Sequence, residues 1–153
     1  MWQRIQTVFL AIAILSLIAT IFLPIWEHTE AGKSHQLYAL HYSTTENGVK
    51  TTTYFPYSIT AILAIAAVTL ALVEIGKFKD RLLQMKLGAL NSIFMAATIG
   101  SAVFFANQMF KTYQGGNYGL GLWVPGIAVV CNLVANRFIR KDEKLVRDSE
   151  RLR

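Results

Sequence analysis

Hydrophobic positions in this chain come in four continuous runs, without the alternation of a half-buried strand or the single stripe of a soluble helix. Residues 5–26, 87–110 and 118–136 carry no charged side chain, and residues 57–76 carry only Glu74. A helix crossing the hydrocarbon core needs about 20 mostly apolar residues, and a helix satisfies all of its backbone N–H and C=O groups internally, as lipid demands. Each run is therefore read as a membrane-spanning helix. The first, preceded by Arg4, has the outline of a secretory signal. Its apolar stretch is too long for that and no Ala-x-Ala site follows, so it is read as a retained span.

Between the first two runs the pattern switches to alternation, with Tyr38, Leu40 and Tyr42 before Asn47-Gly48 and Thr51, Thr53 and Phe55 after it. Asn-Gly between β-formers favours a type I′ hairpin turn, because both central residues must take positive φ. This predicts antiparallel strands at 36–43 and 49–55, with Leu40 opposite Phe55 and Tyr42 opposite Thr53. The predicted fold class is thus an all-α membrane protein: a four-transmembrane-helix bundle with a β-hairpin in the first extracytoplasmic loop (27–56) and a cytoplasmic helical tail (137–153). One integral-membrane domain spans 1–153.

Composition agrees, at 54% hydrophobic and 16% charged, where soluble domains carry about 25% charged residues. The net charge of +6 raises the question of nucleic acid, and its placement answers it. Arg4, Lys77, Lys79, Arg81, Lys86 and the seven basic residues from Arg137 to Arg153 fall on one side of the predicted membrane, leaving Lys33, Lys50 and Lys111 on the other. By the positive-inside rule both termini are cytoplasmic, and the basic excess is a topology signal with no nucleic-acid partner needed. Trp2, Trp26, Tyr54, Tyr57, Phe78, Tyr113, Tyr118, Trp123 and Phe138 cluster near the span ends, as an aromatic belt would.

Candidate chemistry is sparse. His28, His35 and His41 share the outer loop with acids, but His35 and His41 on one strand would stand about 20 Å apart, so they are read as surface histidines with no metal or other cofactor. Glu74, Asn91, Asn132 and Asn136 form a polar cluster near the cytoplasmic helix ends. Intramembrane polar groups are functional candidates, and interhelical hydrogen bonding is the structural alternative. Gly88, Ser92, Ala96 and Gly100 recur every four residues as a candidate packing stripe, for a neighbouring helix of the same chain or, alternatively, as a dimer seam, while Gly119, Gly121, Pro125 and Gly126 predict a loosened or kinked outer end of the fourth helix. In the tail, Arg140, Lys141, Lys144, Arg147 and Arg151, with Leu145, Val146 and Leu152 on one side, are candidate contacts for membrane lipids or a partner. Glu143 with Arg147 and Lys144 with Asp148 sit at helix-supporting spacing. No nucleotide-binding, metalloprotease or nucleophile-elbow motif occurs, so the chain is not read as an enzyme.

The segment Gln3-Arg4-Ile5-Gln6-Thr7 and the tail from Arg137-Phe138-Ile139-Arg140-Lys141-Asp142-Glu143-Lys144-Leu145-Val146-Arg147 to Arg151-Leu152-Arg153, with four spans between them, resemble the domain-of-unknown-function 4293 family, small inner-membrane proteins of Bacteroidota. The resemblance implies an inner-membrane location and carries over no catalytic or ligand residue. The architecture is also similar to that of claudins, although the paired cysteines of the claudin loop are missing. Together these readings point to a non-enzymatic accessory or scaffold subunit of an inner-membrane complex, with membrane-protein partners or a homo-oligomer. An oligomeric carrier or channel, and a membrane enzyme or lipid-binding protein built on Glu74, are the alternatives.

Overall fold

The computed structural model describes residues 3–30, 32–78 and 80–151. Four helices, α1 (Gln3–Phe22), α2 (Ser58–Gly76), α3 (Arg81–Tyr113) and α4 (Leu120–Arg151), are long and apolar enough to cross a membrane, and the chain is a multi-pass membrane protein. Around the bundle α1 packs on α2 and α4, and α3 packs on the same two.

The boundaries have local causes. Pro24, which has no N–H to continue a helix, follows the end of α1, so residues 23–26 leave the expected first span and Trp26 enters a strand. Asp80 caps α3 by accepting a hydrogen bond from the Leu83 N–H at 3.0 Å, which starts that helix six residues before the expected apolar run. At its other end Gln114 adopts φ 49°, the left-handed conformation that closes many helices.

The all-α class with one hairpin is corrected by a five-stranded antiparallel sheet. Strands β1 (Trp26–Glu30), β2 (Lys33–Leu37), β3 (Tyr42–Glu46) and β4 (Val49–Thr53) form a meander, and β5 (Asn117–Tyr118), from the connection between α3 and α4, adds to β1. The Asn47-Gly48 turn joins β3 to β4, both residues at positive φ, with Tyr42 opposite Thr53. The strand expected at 36–43 is two strands. Residues 36 and 37 belong to β2, and a tight turn in which the Tyr38 N–H donates to the His41 carbonyl at 2.8 Å reverses the chain into β3. Leu40 and Phe55 consequently do not pair, and both are exposed. The β1–β2 hairpin escaped the sequence reading because its bundle-facing positions are Trp26, His28, His35 and Leu37. Two imidazoles interrupt the apolar alternation that marks a half-buried strand.

Three rows share one face of the sheet: Tyr118, Trp26, Leu37, Tyr42 and Thr53; then His28, His35, Thr44 and Thr51; then Glu30, Lys33, Glu46 and Val49, of which Trp26, Leu37 and His35 are buried and the third row is exposed. Trp26 is fully buried, against its expected place in the aromatic belt. It packs with Ile25, Leu37, Ala61, Ala102, Phe105 and Met109 where the sheet meets the bundle. Trp123 and Phe78 are exposed, and Trp2 lies outside the described residues.

Gly119 and Gly121 anchor the start of the fourth helix. The Gly119 and Gly121 N–H groups donate to the carbonyls of Ile25 and Pro24, each at 2.9 Å, seating the start of α4 directly on the backbone between α1 and β1. At the other end α4 runs without a break into the tail. Arg81 pairs with the Asp142 carboxylate at 3.3 Å and donates to its carbonyl at 3.3 Å, bracing the base of the tail against α3. Among the described residues neither Glu143 with Arg147 nor Lys144 with Asp148 closes to an ion pair.

Candidate functional site

The bundle core is divided along its length. Toward the sheet it is mainly apolar, filled by Ala13, Leu17, Ala67, Met95, Ala128 and Cys131 and then by the cluster around Trp26, while the buried hydroxyls of Thr20 and Thr98 donate to carbonyls of their own helices. Toward the tail its buried positions include Gln6, Glu74, Gln84, Asn91, Asn132 and Asn136, all at most 8% exposed. Lipid offers these side chains no hydrogen bonds, so their partners must come from one another or from a ligand.

Some of that demand is met between helices. Asn132 Nδ2 donates to the Gly88 carbonyl at 3.1 Å and to Ser92 Oγ at 2.9 Å, and Ser92 Oγ donates to the Gly88 carbonyl at 3.0 Å. This ties α4 to α3 at the one point where a glycine lets the amides approach; a methyl on Gly88 would overlap the Asn136 side chain. Gln84 Nε2 donates to the Glu74 carbonyl at 3.2 Å, joining α3 to α2. Much is left unmet. Both carboxylate oxygens of Glu74, both amide atoms of Asn91, Gln6 Nε2 and the Oδ1 atoms of Asn132 and Asn136 are buried with no hydrogen-bond partner among the described residues. Acceptor oxygens dominate this list, so the tail end of the core is short of donors.

Each of the four polar residues singled out in the sequence is buried at this end. Gln6 was missed at the edge of the first apolar run, beside Thr7, and Gln84 because it lies between Arg81 and Lys86, outside the expected runs. The small-residue stripe is only half at the interface: Gly88 is buried and Ser92 partly so, whereas Ala96 and Gly100 are exposed. Every four-residue step overshoots a turn of 3.6 residues by about 40°, so the stripe winds off the α4 face. Buried positions of α3 instead follow Gln84, Gly88, Asn91, Met95 and Thr98. In the tail, Arg140, Lys141, Lys144, Leu145, Val146 and Arg147 are exposed. The Arg151 side chain and all of Leu152 lie outside the description.

A second cluster sits under the sheet. His28 and His35 are cross-strand partners, and with Trp26 and Tyr42 they surround Tyr113, which ends α3, while the Tyr57 ring lies against Tyr42. Tyr42 Oη lies 2.6 Å from His35 Nδ1 and 2.8 Å from Tyr113 Oη, a chain of hydrogen bonds from sheet to bundle. His35 and His41 do not share one strand as expected, since His41 lies in the turn after β2. No group of three His, Cys, Asp or Glu side chains converges on a metal position among the described residues.

Burial, and then the neighbouring His28 and Lys33, holds His35 below its usual 6.5, and burial with Lys50 does the same for His41. A folded-state value below the unfolded one means that the unfolded chain takes up protons first as pH falls, so stability is whole above about 6.5 and declines below it. Burial raises the Tyr42 hydroxyl, which costs stability only in strong alkali. In a Trp2→Phe, Trp123→Phe background, Trp26 emission is expected to report loosening of the sheet as pH falls from 7 to 5. His35→Asn is expected to weaken that response, and an unchanged pH profile in His35→Asn would remove His35 as its source.

The chain belongs to the family described as Domain of unknown function (DUF4293), which matches residues 2–152. Comparison with curated proteins finds no match.

Proposed function

We propose that this protein is a non-enzymatic accessory or scaffold subunit of a bacterial inner-membrane complex, with both termini in the cytoplasm and the sheet outside. The observation that carries the reading is the continuity of α4. One helix runs from the membrane to Arg151, its base is braced by the Arg81–Asp142 pair, and beyond that brace Leu145 and Val146 are 58% and 37% exposed. A braced helix presenting apolar side chains at its end loses little conformational freedom when it docks. Its occupant is a membrane-protein partner or a second copy of this chain. The orientation is supported by the twelve basic residues at the tail end against three at the sheet end.

The carrier or channel reading is less favoured by the sheet-side core, where Leu17, Ala67, Met95, Ala102 and Trp26 are completely buried and a polar path would have to displace them. An enzyme or lipid-binding reading on Glu74 draws on the unpartnered polar atoms, which supply no nucleophile with an adjacent base.

A tail of shuffled order and equal charge keeps the lipid attraction but scatters Leu145 and Val146. The shuffled protein is expected to insert normally and to lose its native-gel complex in membranes of the source cell. Retention of every co-purifying protein by the shuffled form would overturn the proposal.

A further inference from the structure

Between α3 and α4, at the tail end of the bundle, lies a groove of about 500 Å³ lined by Ala89, Ser92, Leu133, Asn136, Arg137 and Arg140. The four α4 residues are spaced i, i+3, i+4 and i+7, which places them on one helix face. Leu133 lies about 10 Å deeper along the axis than Arg140, at 1.5 Å per residue. The groove is therefore graded, from aliphatic at depth to two guanidinium groups at its mouth. Val130, three residues before Leu133, and Ile93, four after Ala89, fall on the same helix faces and are 60% and 66% exposed, so an apolar track extends beyond the groove toward the middle of the membrane. The opposite wall is low because α3 carries Gly88, Ala89 and Ser92 there.

Among the described residues, nothing neutralises the charge of the mouth. Neither Arg137 nor Arg140 pairs with an acid among the described residues, and the adjacent Asp142 is engaged by Arg81. Two guanidinium forks at the hydrocarbon boundary suit a phosphate, which they can bind bidentately. The aliphatic track below them suits an acyl chain and gives a small free anion nothing to hold.

From this gradient we infer that the α3–α4 groove is a site for one anionic diacyl phospholipid, its phosphate held by Arg137 and Arg140 and one acyl chain lying over Leu133, Val130 and Ile93. The site is independent of the docking tail, whose apolar residues lie beyond the brace. Asn136 lines the groove at the depth where glycerol and ester oxygens would lie. Because the arginines belong to a helix packed on the bundle, binding needs the folded α3–α4 pair and does not follow net charge alone.

The test uses the full chain in mild detergent, with retained lipid read by native mass spectrometry and affinity by titration with phosphatidylglycerol, phosphatidylcholine or inorganic phosphate. The wild-type protein is expected to keep one phosphatidylglycerol under conditions that strip phosphatidylcholine. Arg137→Gln with Arg140→Gln is expected to weaken phosphatidylglycerol at least tenfold. Lys141→Gln with Lys144→Gln, which removes equal charge outside the groove, should leave it within about twofold. Ala89→Leu keeps both arginines, fills the groove from an exposed position, and is expected to weaken the lipid as much as the arginine pair does. Unfolding midpoints without lipid show that each variant is folded. Equal loss in the lysine pair would reduce the effect to diffuse charge and overturn the site. So would full binding by Ala89→Leu, or occupancy by millimolar inorganic phosphate as tight as that by phosphatidylglycerol.

Discussion

Gly121→Ala is expected to lower the unfolding midpoint of the purified protein, while Gly126→Ala, in the next turns of the same helix, leaves it unchanged or raises it. A methyl on Gly121 would stand 2.5 Å from the Leu23 carbonyl oxygen and 2.8 Å from that of Pro24. Both are backbone atoms and cannot swing aside as the end of a side chain would. The same backbone accepts the Gly121 and Gly119 N–H bonds, so relief of the clash would pull α4 off the α1–β1 connection and weaken the contact beneath the sheet. Overpacking of this kind costs about 1–3 kcal/mol, and an immovable neighbour favours the upper part of that range. Gly126 meets nothing within 4 Å, and there alanine gains up to about 1 kcal/mol of helix propensity. Intrinsic fluorescence on heating in detergent would show the contrast. Equal shifts in the two variants would mean that close backbone approach at Gly121 does not hold the helices together.

That contrast also marks the limit of what was legible in the sequence. A glycine-rich helix start reads as loose when its neighbour is unknown, and here the neighbour is a strand junction 97 residues away, between Pro24 and Gly121. The helices were legible because each run is long and nearly free of charge. The sheet was only partly so. Asn47-Gly48 announces its own turn through a local φ requirement, whereas β5 is two residues long and exists because the connection after α3 passes beside Trp26. Polar residues inside the runs, Glu74, Asn91, Asn132 and Asn136, stood out against apolar surroundings. At Ala96 and Gly100 the stripe leaves the buried face within the chain, since a repeat of four drifts from a helix of 3.6 while the buried face does not.

Glu74→Leu and Asn132→Leu remove buried polar groups of comparable size from the same end of the core, and they are expected to change stability in opposite directions. Asn132 donates two interhelical hydrogen bonds, worth about 0.6 to 2 kcal/mol each in bilayers; leucine forfeits both and relieves a single unpartnered oxygen, Oδ1. Glu74 buries two carboxylate oxygens with no partner among the described residues, and an unsatisfied buried group costs about 1–3 kcal/mol, which leucine relieves while filling the space. Denaturant titration in mixed micelles is therefore expected to show a lower midpoint for Asn132→Leu and a higher one for Glu74→Leu, with Asn91→Leu on the side of Glu74 because both of its amide atoms are also unpartnered. A loss with Glu74→Leu as large as that with Asn132→Leu would show that the folded protein supplies Glu74 with a partner. If stability rises instead, the carboxyl is kept at a cost to the fold, and it becomes the first residue to replace, by glutamine, in any assay of the complex.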